Sequence, residues 1–176
     1  ASFDFTDEEC RPTFQGLNFT YTSIEVNSNG HLFVTTNDGK ILRSVDDGRN
    51  WEIIYISNYS GLSKIIFKGS TGYAHGNNVL LKSDDAGATW FRLYVPHSDE
   101  YSFNDLAVFF LNATEGYIGT NKGEIFYTKD GGRTWETRQE ASWNEFRKIF
   151  FQSKDRGYAT VGWGDLLQTT NGGRSW

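Results

Sequence analysis

The chain has 176 residues and a formal net charge of −5, with 17 basic and 22 acidic side chains spread along its length; it can bury a substantial core as one domain. That balance gives no general attraction to nucleic acid or to an anionic membrane, and no apolar run approaches the roughly 18 residues of a spanning helix. Aromatic residues make up 16% of the chain, and 19 glycines stand against 2 prolines, a composition that suits strands and tight turns.

In chain order, the first segment holds Cys10, the only cysteine, so no intrachain disulfide can form. The absence of methionine suits a mature product whose leader has been removed, or a piece of a longer chain. Residues 10–15, with Arg11-Pro12-Thr13-Phe14-Gln15, form a candidate outer strand. Cys10 precedes Val26 by 16 residues, as Trp51 precedes Phe67 and Trp135 precedes Phe151. This strand could complete the last unit and close a four-bladed ring; alternatively, the chain is part of a larger ring.

Four similar units follow, at about 17–59, 60–98, 99–141 and 142–176. Each opens on an apolar cluster: Ile24-Glu25-Val26, Ile65-Ile66-Phe67, Val108-Phe109-Phe110 and Ile149-Phe150-Phe151. In three units a Gly-led strand comes next, at Gly72-Tyr73-Ala74, Gly116-Tyr117-Ile118 and Gly157-Tyr158-Ala159. A third strand then runs into a turn of pattern Ser/Thr-x-Asp/Asn-x-Gly-x-x-Trp. The four turns carry Ser44, Asp46, Gly48 and Trp51; Ser83, Asp85, Gly87 and Trp90; Thr128, Asp130, Gly132 and Trp135; and Thr169, Asn171, Gly173 and Trp176. After the turn a fourth strand begins, as in Trp51-Glu52-Ile53-Ile54-Tyr55; the fourth unit reaches Trp176, where its own outer strand should begin. Successive turn tryptophans lie 39, 45 and 41 residues apart, close to the roughly 40–50 residues of a four-stranded propeller blade. The expected fold is therefore an all-β propeller of four-stranded antiparallel blades without long helices. Consecutive apolar residues in the inner strands predict burial on both faces, as expected when a blade lies on each side.

The turn pattern has a physical logic. The hydroxyl at the first position and the carboxylate at the third can accept hydrogen bonds from exposed turn N–H groups. Glycine at the fifth position adopts a positive φ at little cost, and the tryptophan can fold back beneath the turn. The acids thus read as turn locks rather than catalytic or metal-binding groups, and Asn171 in the fourth copy agrees with that.

These turns resemble the Asp-box, or bacterial neuraminidase, repeat of sialidases, some glycoside hydrolases and sortilin-type receptors. The fuller unit, Gly72-Tyr73-Ala74-His75-Gly76 leading through Leu81-Lys82-Ser83 into the turn, resembles the repeats of photosystem II assembly/stability factor-like propellers. The resemblance covers roughly residues 23 to 176. It implies a propeller, export from the cytoplasm to a periplasmic, secreted or surface location, and a non-catalytic role in binding a protein or other macromolecule.

The alternative is a glycan-active or lectin-like propeller. The sialidase Arg-Ile-Pro or Arg-Leu-Pro signature is absent, although glycosidase chemistry needs only two facing carboxylates. His31, His75 and His97 lack metal-ligand spacing and read as strand-edge or loop residues. No metal, cofactor or nucleic-acid site is expected; the expected partner is a protein or a glycan. The box hairpins should share one rim. On the opposite rim, Trp143 and Trp163, with Tyr59 and Tyr101 as weaker candidates, could anchor that partner.

Overall fold

The computed structural model describes residues 19–57, 61–76, 79–96, 106–143, 145–162 and 164–176. The candidate outer strand at residues 10–15 lies outside them. Among the described residues there is no helix, and the strands form four antiparallel sheets. The first contains β1 (Tyr21–Val26), β2 (Leu32–Thr36), β3 (Lys40–Ser44) and β4 (Glu52–Ile56). The second contains β5 (Leu62–Lys68), β6 (Thr71–Gly76), β7 (Val79–Ser83) and β8 (Phe91–Arg92). The third contains β9 (Ala107–Phe110), β10 (Gly116–Gly119), β11 (Ile125–Thr128) and β12 (Glu136–Gln139). The fourth shows three strands, β13 (Phe146–Phe151), β14 (Gly157–Val161) and β15 (Leu166–Thr169). Every strand pairs only with its neighbours in sequence, so each sheet is a β-propeller blade built as a meander.

The repeat recurs in register. Phe67 lies opposite Gly72, Phe110 opposite Gly116 and Phe151 opposite Gly157. A Cβ on those glycines would come within 2.8, 2.4 and 2.7 Å of the respective rings. Glycine therefore leaves room for an inner-strand phenylalanine to lie across the next strand. In the first blade the pair is Val26 and Leu32, and both the ring and the gap for it are gone.

Each of three buried clusters joins one blade to the next. At their centres an aromatic residue of a second strand meets the phenylalanine of the following inner strand. Phe33 lies 4.8 Å from Phe67, while Tyr73 stacks on Phe110 at 3.5 Å and Tyr117 on Phe151 at 3.6 Å. The tyrosines also reach across: Tyr73 Oη donates to the Ala113 carbonyl at 2.9 Å and Tyr117 Oη to that of Lys154 at 2.5 Å. Burial pushes both hydroxyls above the ordinary tyrosine range, so they remain protonated donors. Ring contact and hydrogen bond together set how one blade docks on the next.

Burial on both faces of the inner strand does not extend to the two end blades. Ile24 is 63% exposed and Phe150 is 53% exposed. One face of the first blade and one of the fourth have no described sheet against them, so their apolar residues remain open.

Candidate binding site

The four box turns connect third to fourth strands, or follow the third strand in the last blade, and so lie on one rim. Their polar groups serve their own backbones. Ser44, Ser83, Thr128 and Thr169 accept from the N–H groups of Gly48, Gly87, Gly132 and Gly173 at 2.8–3.0 Å. Asp46, Asp85, Asp130 and Asn171 accept from the N–H of the residue before the tryptophan, at 2.8–3.0 Å.

Those bonds set the acidity. The backbone and side chain of Asn50, followed by Ser44, hold the Asp46 carboxyl at about 2. Burial would raise Asp130, but bonds from Thr134 and Thr128 hold it at about 2, and burial is similarly outweighed at Asp85 by Thr89 and Ser83. A carboxylate pinned this low is poorly matched to proton transfer near neutral pH.

The tryptophans differ in what their ring N–H groups meet. Trp51 and Trp90 donate to the carbonyls of Gly48 and Gly87 in their own turns, whereas Trp135 donates to Tyr94 of the preceding blade at 3.0 Å. The buried ring nitrogen of Trp176 has no partner among the described residues. The fourth turn position is also left-handed in every copy: Asp47 at φ 60°, Ala86 at 58°, Gly131 at 70° and Gly172 at 68°. The turn spacing predicts this demand only at the fifth position, and Gly131 and Gly172 are its sequence signal at the fourth.

The inner strands converge on a cavity of about 410 Å³. It lies where these strands begin, toward the rim opposite the boxes. Register breaks fall between Tyr21 and Ser23, Leu62 and Lys64, and Phe146 and Lys148. A bulge re-aims side chains that would otherwise alternate. Here it brings the consecutive pairs Thr22-Ser23, Ser63-Lys64 and Arg147-Lys148 onto the cavity wall. No sequence signal distinguished these positions.

The lining includes Lys64, Arg147, Lys148 and His75 but no carboxylate. Glu145 lies nearby and pairs with Arg147 at 3.0 Å, leaving the two lysines as positive charge within the described surroundings. His75, read from sequence as a strand-edge or loop residue, is instead buried on β6 against this cavity. The six-residue register of β6 determines that placement. His31 precedes β2 and is half-buried, while His97 lies outside the described residues. Thr22 Oγ1 donates to the Leu62 carbonyl at 2.6 Å, tying two inner strands together at the cavity.

Of the four loop aromatics, Trp143 is 96% exposed. Tyr59, Tyr101 and Trp163 lie outside the described residues.

Comparison with known proteins agrees with this architecture. The BNR/Asp-box repeat model matches residues 126–137, the third box with its flanking strand ends. The photosystem II assembly lipoprotein Ycf48 of Synechococcus sp. (strain CC9902) is 28% identical over 104 residues, covering 55% of this chain and 30% of that protein. Among solved structures, YCF48 bound to D1 peptide superposes with a TM-score of 0.63 at 20% identity, covering 82% of this chain and 48% of that one. The Niastella koreensis GH74 enzyme superposes with a TM-score of 0.67 at 18% identity, covering 89% of this chain and 29% of the enzyme. The chain thus spans about half or less of these relatives. The chain folds as a β-propeller, one of its box turns matches the BNR/Asp-box repeat, and it is similar to the photosystem II assembly lipoprotein Ycf48.

Proposed function

We propose that the chain is a non-catalytic, extracytoplasmic propeller scaffold that binds another protein, taking an acidic or carboxylate-ending segment at the cavity where its blades meet. The observation that carries this reading is the lining: Lys64 and Lys148, beside an Arg147 that is paired with Glu145, face the cavity without a lining carboxylate, in a chain of net charge −5. Confined positive charge with partly desolvated walls favours an anionic group over other parts of a partner surface. The similarity to Ycf48, one structure of which holds a D1 peptide, supports a protein ligand. Its description as a lipoprotein supports work outside the cytoplasm. Trp143, on the same rim, would supply an aromatic anchor beside the charged site.

The test uses fluorescent peptides ending in Asp and Glu with a free carboxylate, beside the same peptides amidated and with the acids replaced by their amides. Binding should favour the charged forms and weaken as salt rises. Paired Lys64→Glu and Lys148→Glu changes should reduce affinity by about tenfold or more. Equal binding of charged and neutral peptides would move the site elsewhere. Turnover of xyloglucan or a sialoside would overturn the non-catalytic reading in favour of a glycan-active one.

A further inference from the structure

We infer that the charged group taken by the central cavity is a phosphomonoester, carried into it on a phosphorylated serine or threonine of the partner. This rests on the peptide-site reading proposed above and narrows its ligand from anionic groups in general to a dianionic, tetrahedral one.

Strand register places four residues at one level around the cavity. Ser23, Lys64, Ala107 and Lys148 each stand just before the apolar cluster of their inner strand, opposite Thr35, His75, Gly119 and Thr160. They are the same position in four successive blades, and all four line the cavity. Lysine occupies it in the second and fourth blades, a small residue in the first and third. Two ammonium groups therefore share one space of about 410 Å³, with no bulky side chain at that position on the other two walls.

Three features separate a phosphoryl group from a carboxylate here. The first is charge. Neither lysine forms an ion pair among the described residues, whereas Arg147 is paired with Glu145 at 3.0 Å. Like charges in one cavity repel, and a single dianion offsets both where a carboxylate would leave one over. The second is donor type. A planar guanidinium fork suits the two oxygens of a carboxylate, while lysine ammoniums act as point charges that suit phosphate. The guanidinium in the lining is that of Arg147, which is already engaged. The third is direction. Ser23 and Ser63 also line the cavity, and their hydroxyls have no bonding partner among the described residues. With the lysines they bring donors from β1, β5 and β13, which matches three terminal phosphoryl oxygens better than two coplanar carboxylate oxygens.

One fluorescent peptide tests this in four forms, with serine, phosphoserine, sulfoserine or glutamate at a single position, titrated against the 176-residue chain. Sulfoserine keeps the tetrahedral shape with one charge, and glutamate carries one charge on a planar group. The phosphoserine form should bind about tenfold or more tighter than the glutamate form, with sulfoserine between them. Lys64→Gln and Lys148→Gln should each remove most of that preference, with circular dichroism unchanged because both positions are exposed. Lys129→Gln, at an exposed lysine on the box rim, should leave it intact. Combining Ser23→Ala with Ser63→Ala should weaken phosphoserine binding several-fold while sparing the glutamate form. Equal binding of the phosphoserine and glutamate forms would overturn the phosphoryl assignment and leave the peptide site standing; failure of every charged form to bind would remove both. A phosphoserine preference that survives both lysine changes would place the group outside the cavity and overturn the assignment. So would displacement of the peptide by micromolar inorganic phosphate, which would make the ligand a free oxyanion.

Discussion

Leu80 and Leu166 are the same residue at the same register point of two blades, yet one is fully buried and the other 71% exposed. The difference lies neither in their strands nor in their turns. Leu80 has the third blade against it, and Leu166 has no described sheet in front of it. A blade of this kind makes its strand-ladder hydrogen bonds within itself but obtains most of its apolar burial from its neighbours. The array therefore resembles a solenoid, in which each repeat is stabilised mainly by the interface it shares with the next.

Core truncation should separate the two regions most strongly. Phe110→Ala removes a fully buried ring stacked on Tyr73 and should cost about 3–5 kcal/mol. Phe150→Ala, at an equally aromatic but half-open position, should cost about 1 kcal/mol or less when measured at low protein concentration. Urea unfolding of the two variants makes the comparison directly, and equal losses would show that the end face is buried in solution.

Acid should distinguish the box turns by a smaller amount. Folded Asp46 and Asp130 titrate at about 2, below the ordinary value of 3.8. A depressed folded pKa contributes stability above the unfolded pKa, and that stability is lost as pH falls from about 4 toward 2. The fourth turn uses Asn171 and has no such carboxylate. Asp46→Asn and Asp130→Asn together should therefore flatten the fall in Tm over that interval; an unchanged slope would assign acid sensitivity to other groups.

The smallest effect concerns the fourth box position, which is glycine in the last two turns. Ala86 adopts φ 58° there. Ala86→Gly should relieve the left-handed penalty by about 0.5–1 kcal/mol after the entropy of the more flexible unfolded chain is counted. Asp47→Gly should gain less, because aspartate tolerates this region better. Chemical denaturation can resolve the ordering, and a loss of stability at Ala86 would mean that its methyl group contributes packing.

Legibility followed distance along the chain. The blade repeat and antiparallel meander were readable because the apolar clusters and turn tryptophans recur at nearly constant spacing. The turn hydrogen bonds were readable in type because donor and acceptor lie within four residues. The bulges beginning three of the inner strands were not readable: Thr22, Ser63 and Arg147 are ordinary strand residues, and their displacement is a choice of pairing register. The cavity was hidden for the same reason, since Lys64 and Lys148 meet only when blades 84 positions apart in sequence are brought around one axis. Nothing about Trp135 revealed that its ring N–H would bond the preceding blade rather than its own turn.

By itself, then, the amino-acid sequence determined the all-β class, the repeated unit and the chemistry of its turns. These rest on backbone bonds and φ preferences satisfied within a few residues or between adjacent strands. Only the tertiary structure decided which apolar faces are covered among the described residues and which side chains share the central cavity. Burial belongs to a side chain and the sheet opposite it together, and that sheet comes from another repeat roughly 40 residues away.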